Sequence, residues 1–312
     1  MLSRTADNLY WMARYVERAE NFARLLDVGQ RMTSLSLAPT GAASEWHSTV
    51  IAAGCQETFY KKYEQPDAAS VIDHLVLDPE NASSIWSCIA TARQNARAVR
   101  TALTTDMWEA VNSTWLELQN LRDDFSIERL PRFLDWIKER SLLFNGAVTA
   151  TMLRKDAYWF TRLGTFVERG DNTARILDVK YNVLLPQYER IGGTLDYYQW
   201  AAILRSVSAL RAYHWVYNDR LKPWLVAELL ILRPEMPRSL ITCFNEINLH
   251  LNFLASVYGT KGECHRLAGK MQAQLAYGKI EDIFQSGLHQ FLTDVIDTTL
   301  VLGNEISKQY LV

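Results

Sequence analysis

Glutamate and arginine recur in this sequence at a spacing suited to ion-pair, acid–base or cation chemistry, and the pattern occurs twice. Val16-Glu17-Arg18-Ala19-Glu20-Asn21-Phe22-Ala23-Arg24-Leu25-Leu26-Asp27-Val28 returns as Val167-Glu168-Arg169-Gly170-Asp171-Asn172-Thr173-Ala174-Arg175-Ile176-Leu177-Asp178-Val179. Nine of thirteen positions are identical, and Glu20/Asp171 and Leu25/Ile176 are conservative exchanges. On a helix turning roughly 100° per residue, Glu17, Asn21 and Arg24 fall within roughly 60° of one another. Glu20 and Asp27 flank them, while Phe22, Ala23 and Leu26 face away. Tyr10 and Arg14 extend the first stripe toward the N-terminus. Each copy therefore reads as a helix with a polar stripe and an apolar face.

A lone charged stripe is usually a wet face, on which Glu20 and Arg24, four apart with the acid first, contribute a few tenths of a kcal/mol. Repetition changes that balance. Surface pairs contribute too little to hold one pattern in two places, whereas a pseudo-twofold contact between the two helices makes the same demands on both. The stripes are expected to meet in the interior or across a cleft. Each Glu then needs an Arg or Asn partner, because an unpaired buried charge costs several kcal/mol.

Three kinds of chemistry fit such a meeting. Glu17 and Glu168 are candidate acid and base toward an amide or phosphoanhydride, assisted by Arg24 and Arg175, which requires perturbed carboxylates in a water-poor cleft. Glu17, Glu20, Glu168 and Asp171 also suggest a carboxylate metal site for a hard ion such as Mg²⁺. Neither copy carries the Glu-x-x-His element of such bundles, and the neighbouring arginines oppose a cation, so no metal and no cofactor are expected. In the third reading the pairs only lock helix packing.

Other signals are weaker. Gly-Lys at 269–270 lacks P-loop spacing and a preceding strand. Cys264 and His265 are sequence neighbours that point about 100° apart on a helix, so they read as ordinary structural residues. His214 lies in an aromatic run with Trp200, Trp215 and Trp224 nearby, read as core.

The chain has 312 residues, 48% hydrophobic and 22% charged, as in an ordinary packed protein, and its net charge of −2 offers no field to gather nucleic acid or anionic lipid. Four cysteines (Cys55, Cys88, Cys243 and Cys264) without CxxC spacing read as buried reduced thiols. The N-terminus has charges where a secretory signal needs an apolar stretch. The longest run free of Asp, Glu, Lys and Arg, residues 247–260, is shorter than the roughly 20 residues of a membrane span. A cytoplasmic protein without membrane or nucleic-acid partners is expected.

Apolar spacing predicts a long helix over 3–32, a loop over 35–44, and one or two short helices over 45–63. After the break at 78–81, Asn81 or Ser83 caps a helix over 85–103, followed by helices over 107–121 and 131–153. A second long helix spans 156–185 and ends at Pro186. Thr194 caps a run to Asn218, and helices follow over 223–232, 237–257, 264–277 and 279–310. No period-two alternation calls for strands. The expected fold is all-α, a multi-helix up-down bundle of about ten helices. It forms one domain over 1–312 with pseudo-repeat halves of about 1–153 and 154–312.

The opening Leu2-Ser3-Arg4-Thr5-Ala6-Asp7-Asn8-Leu9-Tyr10-Trp11, the two motif copies and the stretch 95–117 closely resemble the bacterial alpha-E family, helical proteins of unknown function. The resemblance covers essentially the whole chain. Such proteins are typically encoded beside, or fused to, circularly permuted ATP-grasp proteins and transglutaminase-like cysteine peptidases. It implies a role in a system that makes, modifies or trims amide-linked peptides, with the chain as a non-catalytic partner that binds a peptide or the ligase between the motif helices. The positions it singles out are Arg4, Asn8, Glu17, Arg18, Asn21 and Arg24, and Glu168, Arg169, Asn172 and Arg175. Arg14, Glu20 and Asp171 join them from the stripe itself, although Asp171 stands where the first copy has Glu and so shortens one arm.

Overall fold

The computed structural model describes residues 1–34, 39–182 and 193–311. Among these residues the chain is all-α, with fifteen α-helices and no strands. They are α1 (Ser3–Thr33), α2 (Pro39–Ala53), α3 (Gln56–Phe59), α4 (Ala68–Val76), α5 (Ile85–Ala98), α6 (Thr105–Asp123), α7 (Leu130–Thr151), α8 (Asp156–Asn182), α9 (Thr194–Ser206), α10 (Leu210–Tyr217), α11 (Pro223–Ile231), α12 (Leu240–Tyr258), α13 (Glu263–Ala276), α14 (Ile280–Ser286) and α15 (Leu288–Ile306).

The two motif helices form the centre. α1 packs against α8 and is enclosed further by α5, α7, α2 and α9; α8 is enclosed by α12, α15, α2 and α9. Between Val16 and Gly29 every residue of α1 is buried except Arg18, which is half-buried. The polar stripe is therefore an interior seam, and α1 has no wet face along that stretch. The close approach has a local cause. Gly164 on α8 lies against the Tyr10 carbonyl of α1, and a Cβ there would collide with it. The buried apolar side chains form one continuous cluster.

Helix boundaries depart from the sequence expectation where local chemistry decides. Residues 39–44, expected as loop, already belong to α2, because a proline in the first turn lacks only an N–H that has no helical partner. α4 was not anticipated, yet Asp67 and Ser70 form a reciprocal capping box at its start. Ser84 caps α5, rather than Asn81 or Ser83, and Thr104 caps α6, each contributing about 1 kcal/mol. The run expected to end at Asn218 breaks at Ser208 (φ 59°), and that expected over 279–310 breaks at Gly287 (φ 99°). α9 takes Gly193 as its cap in place of Thr194, and α12 starts at Leu240 under a Ser239 cap. The expected end of the second long helix at Pro186 lies outside the described residues. The aromatic run is only partly core. Tyr213 is fully buried, while Trp215 is 82% exposed.

Candidate functional site

The two Glu-Arg pairs interlock. Glu17 accepts from Arg169 through both oxygens, Nε to Oε1 and Nη2 to Oε2, each at 2.8 Å. Glu168 accepts from Arg18 in the same two-pronged way, Nε to Oε1 at 2.5 Å and Nη2 to Oε2 at 3.1 Å. Each copy thus gives its Glu to the other copy's Arg, a pseudo-twofold exchange across the α1–α8 seam. Two-pronged guanidinium–carboxylate pairs fix geometry as well as charge. Asn21 Nδ2 adds a bond to the Glu168 carbonyl at 3.3 Å.

Each Glu has a second guanidinium, and here the halves differ. Glu168 takes Arg14 Nε at 2.8 Å. Glu17 takes Arg238 Nη1 at 3.0 Å, and Nη2 of the same Arg238 reaches Glu20. Glu20 also accepts from Arg24, through Nε at 2.8 Å and Nη2 at 2.6 Å, and from Ser141 Oγ at 2.6 Å. Its counterpart Asp171 accepts, among the described residues, from Arg175 Nε alone, at 2.6 Å. Arg24 and Arg175 also play matching parts at helix ends. Arg24 donates to the Ser206 carbonyl that closes α9, and Arg175 donates at 3.4 Å to the Ala52 carbonyl near the end of α2. A residue with positive φ follows each carbonyl, Ser208 at 59° and Gly54 at 67°.

Burial would raise the pKa of Glu168, but Arg18 and then Arg14 outweigh it and hold the group at about 2. Glu20 is held at about 2 in the same way by Arg238 and Arg24 against its burial. These carboxylates stay ionised at any ordinary pH, and a group so committed makes a poor general acid or base. Among the described residues no three His, Cys, Asp or Glu side chains gather as a metal would require. Cys264 Sγ does lie 3.4 Å from His265 Nδ1, but burial pushes the thiol up to about 11 and the imidazole pKa down, the reverse of a thiolate pair.

The structure brings together Arg14, Glu17, Arg18, Glu20, Asn21, Arg24, Glu168, Arg169, Asp171, Asn172 and Arg175. It leaves two predicted positions outside. Arg4 is exposed, and Asn8 spends its amide on the Arg4 carbonyl at 2.6 Å. They lie in the first two turns of α1, on the N-terminal side of the paired charges. Sequence reasoning missed Arg238 and Ser141. A second, fainter repeat could have found Arg238: Val76-Leu77-Asp78-Pro79-Glu80-Asn81-Ala82-Ser83-Ser84-Ile85-Trp86-Ser87-Cys88 runs parallel to Ile231-Leu232-Arg233-Pro234-Glu235-Met236-Pro237-Arg238-Ser239-Leu240-Ile241-Thr242-Cys243. Leu, Pro, Glu, Ser and Cys match, and Ser84 and Ser239 each accept from the backbone N–H three residues on. In this alignment Arg238 stands opposite Ser83.

Next to Asp171 the seam opens into a cavity of about 200 Å³ lined by Arg18, Asn21, Ser83, Glu168, Asp171 and Arg175, among others. Two wider hollows of about 630 and 820 Å³ lie along α6 and α7 and contain none of the motif residues. Among the described residues no helix is long and apolar enough to cross a membrane.

Comparison with known proteins agrees with this geometry. An uncharacterized protein of Mycobacterium bovis, Mb2597, is 23% identical over 316 residues, covering 94% of this chain and 35% of its own length. The uncharacterized protein Rv2567 of Mycobacterium tuberculosis matches to the same extent. The chain thus spans about a third of the length of these curated relatives. No solved structure matches it. The Alpha-E family model, described as "a predicted alpha-helical domain with a conserved ER motif", matches residues 1–311, and Glu17-Arg18 and Glu168-Arg169 each supply that dipeptide at the centre of the seam. The chain belongs to the Alpha-E family.

Proposed function

We propose that the chain is a non-catalytic binding component of a system that makes, modifies or trims amide-linked peptides, acting beside an ATP-grasp-type protein and a transglutaminase-like cysteine peptidase. The observation that carries this reading is the state of the motif carboxylates. Glu17 and Glu168 have both oxygens engaged by guanidiniums, and Glu168 is held far below the range in which a proton shuttle works. The rival reading, Glu17 and Glu168 as acid and base, loses its chemistry for the same reason. A rigid charged seam with an adjoining cleft suits recognition. The relatives' greater length accords with a module that works alongside further chain.

The test is co-expression with an ATP-grasp-type and a transglutaminase-like protein from the same genome, followed by affinity purification. The wild-type chain is expected to retain at least one of them, and Arg175→Met at the cleft mouth to weaken retention about tenfold, the loss of a charge-assisted contact. A folded chain that retains neither, with ATP and Mg²⁺ present, rejects the proposal.

A further inference from the structure

The seam is symmetric in its pairs and asymmetric in its filling. On one side Arg238 closes the space between Glu17 and Glu20. There the charged side chains are sealed, with Glu20 1%, Arg24 5% and Arg238 9% exposed. On the other side the aligned residue is Ser83, whose short side chain leaves the cavity of about 200 Å³, and Arg18, Asp171 and Arg175 are 21%, 21% and 27% exposed at its edge. That is room for about six waters.

The walls hold uncommitted hydrogen-bonding groups. Asn21 Oδ1 and Asn172 Nδ2 are buried without a partner among the described residues, on residues only 3% and 2% exposed. Each such orphan costs about 1–3 kcal/mol, so a native protein keeps it for a reason. Arg18 engages Glu168 through Nε and Nη2, which leaves Nη1. Arg175 spends Nε on Asp171 and Nη1 on Ala52, which leaves Nη2. Asp171 is engaged at Oδ2, which leaves Oδ1. Donors on Arg18 and Arg175 and an acceptor on Asp171 therefore meet at one small space, with the two orphaned asparagine atoms buried behind its lining. A bare anion would meet Asp171, and a bare cation would meet two guanidiniums. A small molecule that carries both charges satisfies all of them.

We infer that this cleft binds the zwitterionic head of an α-amino acid, its carboxylate against Arg18 and Arg175 and its ammonium against Asp171. The inference rests on the reading of the seam as a binding site and names the class of molecule bound there.

The experiment is isothermal titration of the full chain, alone, with glycine, alanine and glutamate, and with acetate, methylammonium and acetamide as single-function probes. At least one amino acid is expected to bind in the millimolar range or tighter, and each probe at least about tenfold more weakly. Asp171→Asn should weaken amino-acid binding about tenfold. Ser83→Arg, which installs the side chain that fills the mate cleft, should abolish binding while leaving the helical circular dichroism intact. Binding of acetamide as tight as that of the amino acids, or amino-acid binding undiminished in Ser83→Arg, overturns the inference. Absence of amino-acid binding by a folded chain overturns it too, and a chain that still retains its protein partners would then keep the functional proposal standing without it.

Discussion

Replacing Glu168 with Gln removes one charge and almost no volume, so it isolates what the seam's electrostatics contribute. The side chain is buried and its pKa falls from 4.5 to about 2, which at 1.36 kcal/mol per unit corresponds to roughly 3 kcal/mol of stability at neutral pH. The variant also strands Arg14 and Arg18 beside a neutral amide, and breaking a buried pair in this way costs about 3–5 kcal/mol. The two routes agree. Because the folded pKa lies below the unfolded one, this stability is fully present above about pH 4.5 and is lost as pH falls toward about 2. About 1 kcal/mol of it should be gone by about pH 3.5. Urea titrations of wild type and variant at neutral pH and at several pH values down to about 3.5 read both quantities. The variant is expected to be about 3–5 kcal/mol less stable at neutral pH and to take up about one proton fewer on acid unfolding, with Glu20 still supplying its own share. A loss under about 1 kcal/mol, or an unchanged pH slope, would refute the assignment of Glu168 as a buried, doubly paired anion.

Two further outcomes follow from the packing. Gly164→Val should push α1 and α8 apart at the Tyr10 carbonyl and cost about 3 kcal/mol or more, read as a fall in melting temperature; a variant as stable as wild type would contradict the close approach. The cysteines should be inert while the chain is folded, because burial pushes Cys88 and Cys243 up to about 12 and Cys55 and Cys264 up to about 11. Thiol titration with an aromatic disulfide should find none of them at neutral pH and all four in denaturant.

The parts of this architecture that were legible in the sequence are those with a local signature. α1 and α8 announced themselves by a thirteen-residue repeat with nine identical positions, whereas the cap of α5 was expected at Asn81 or Ser83 and falls on Ser84, because several adjacent residues there share the same capping chemistry. The burial of the stripe was legible only through repetition, because a Glu-Arg stripe in one copy has the composition of a wet face. Helical spacing could not reveal Arg238, because its partners Glu17 and Glu20 are more than two hundred positions away; only the fainter repeat around Ser84 and Ser239 marks its neighbourhood. The break at Ser208 hid for a different reason. Its positive φ falls on a residue type that carries no turn signal as strong as glycine. Arg4 and Asn8 were chosen by resemblance and not by geometry, and the structure places them away from the pairs.

Arg238 also imposes an order of events on a chain made from its N-terminus. Glu17 and Glu20 leave the ribosome early, but the guanidinium that bridges them arrives only after most of the polypeptide has been synthesised, about ten to forty seconds later at ordinary elongation rates. Until then Glu20 has Arg24 and Ser141 from its own half, but Glu17 has, among the described residues, no guanidinium from that half, so the nascent half has reason to stay loose and hydrated around it. The segment between α11 and α12 then acts as a latch that makes synthesis past Arg238 a condition for closing the centre.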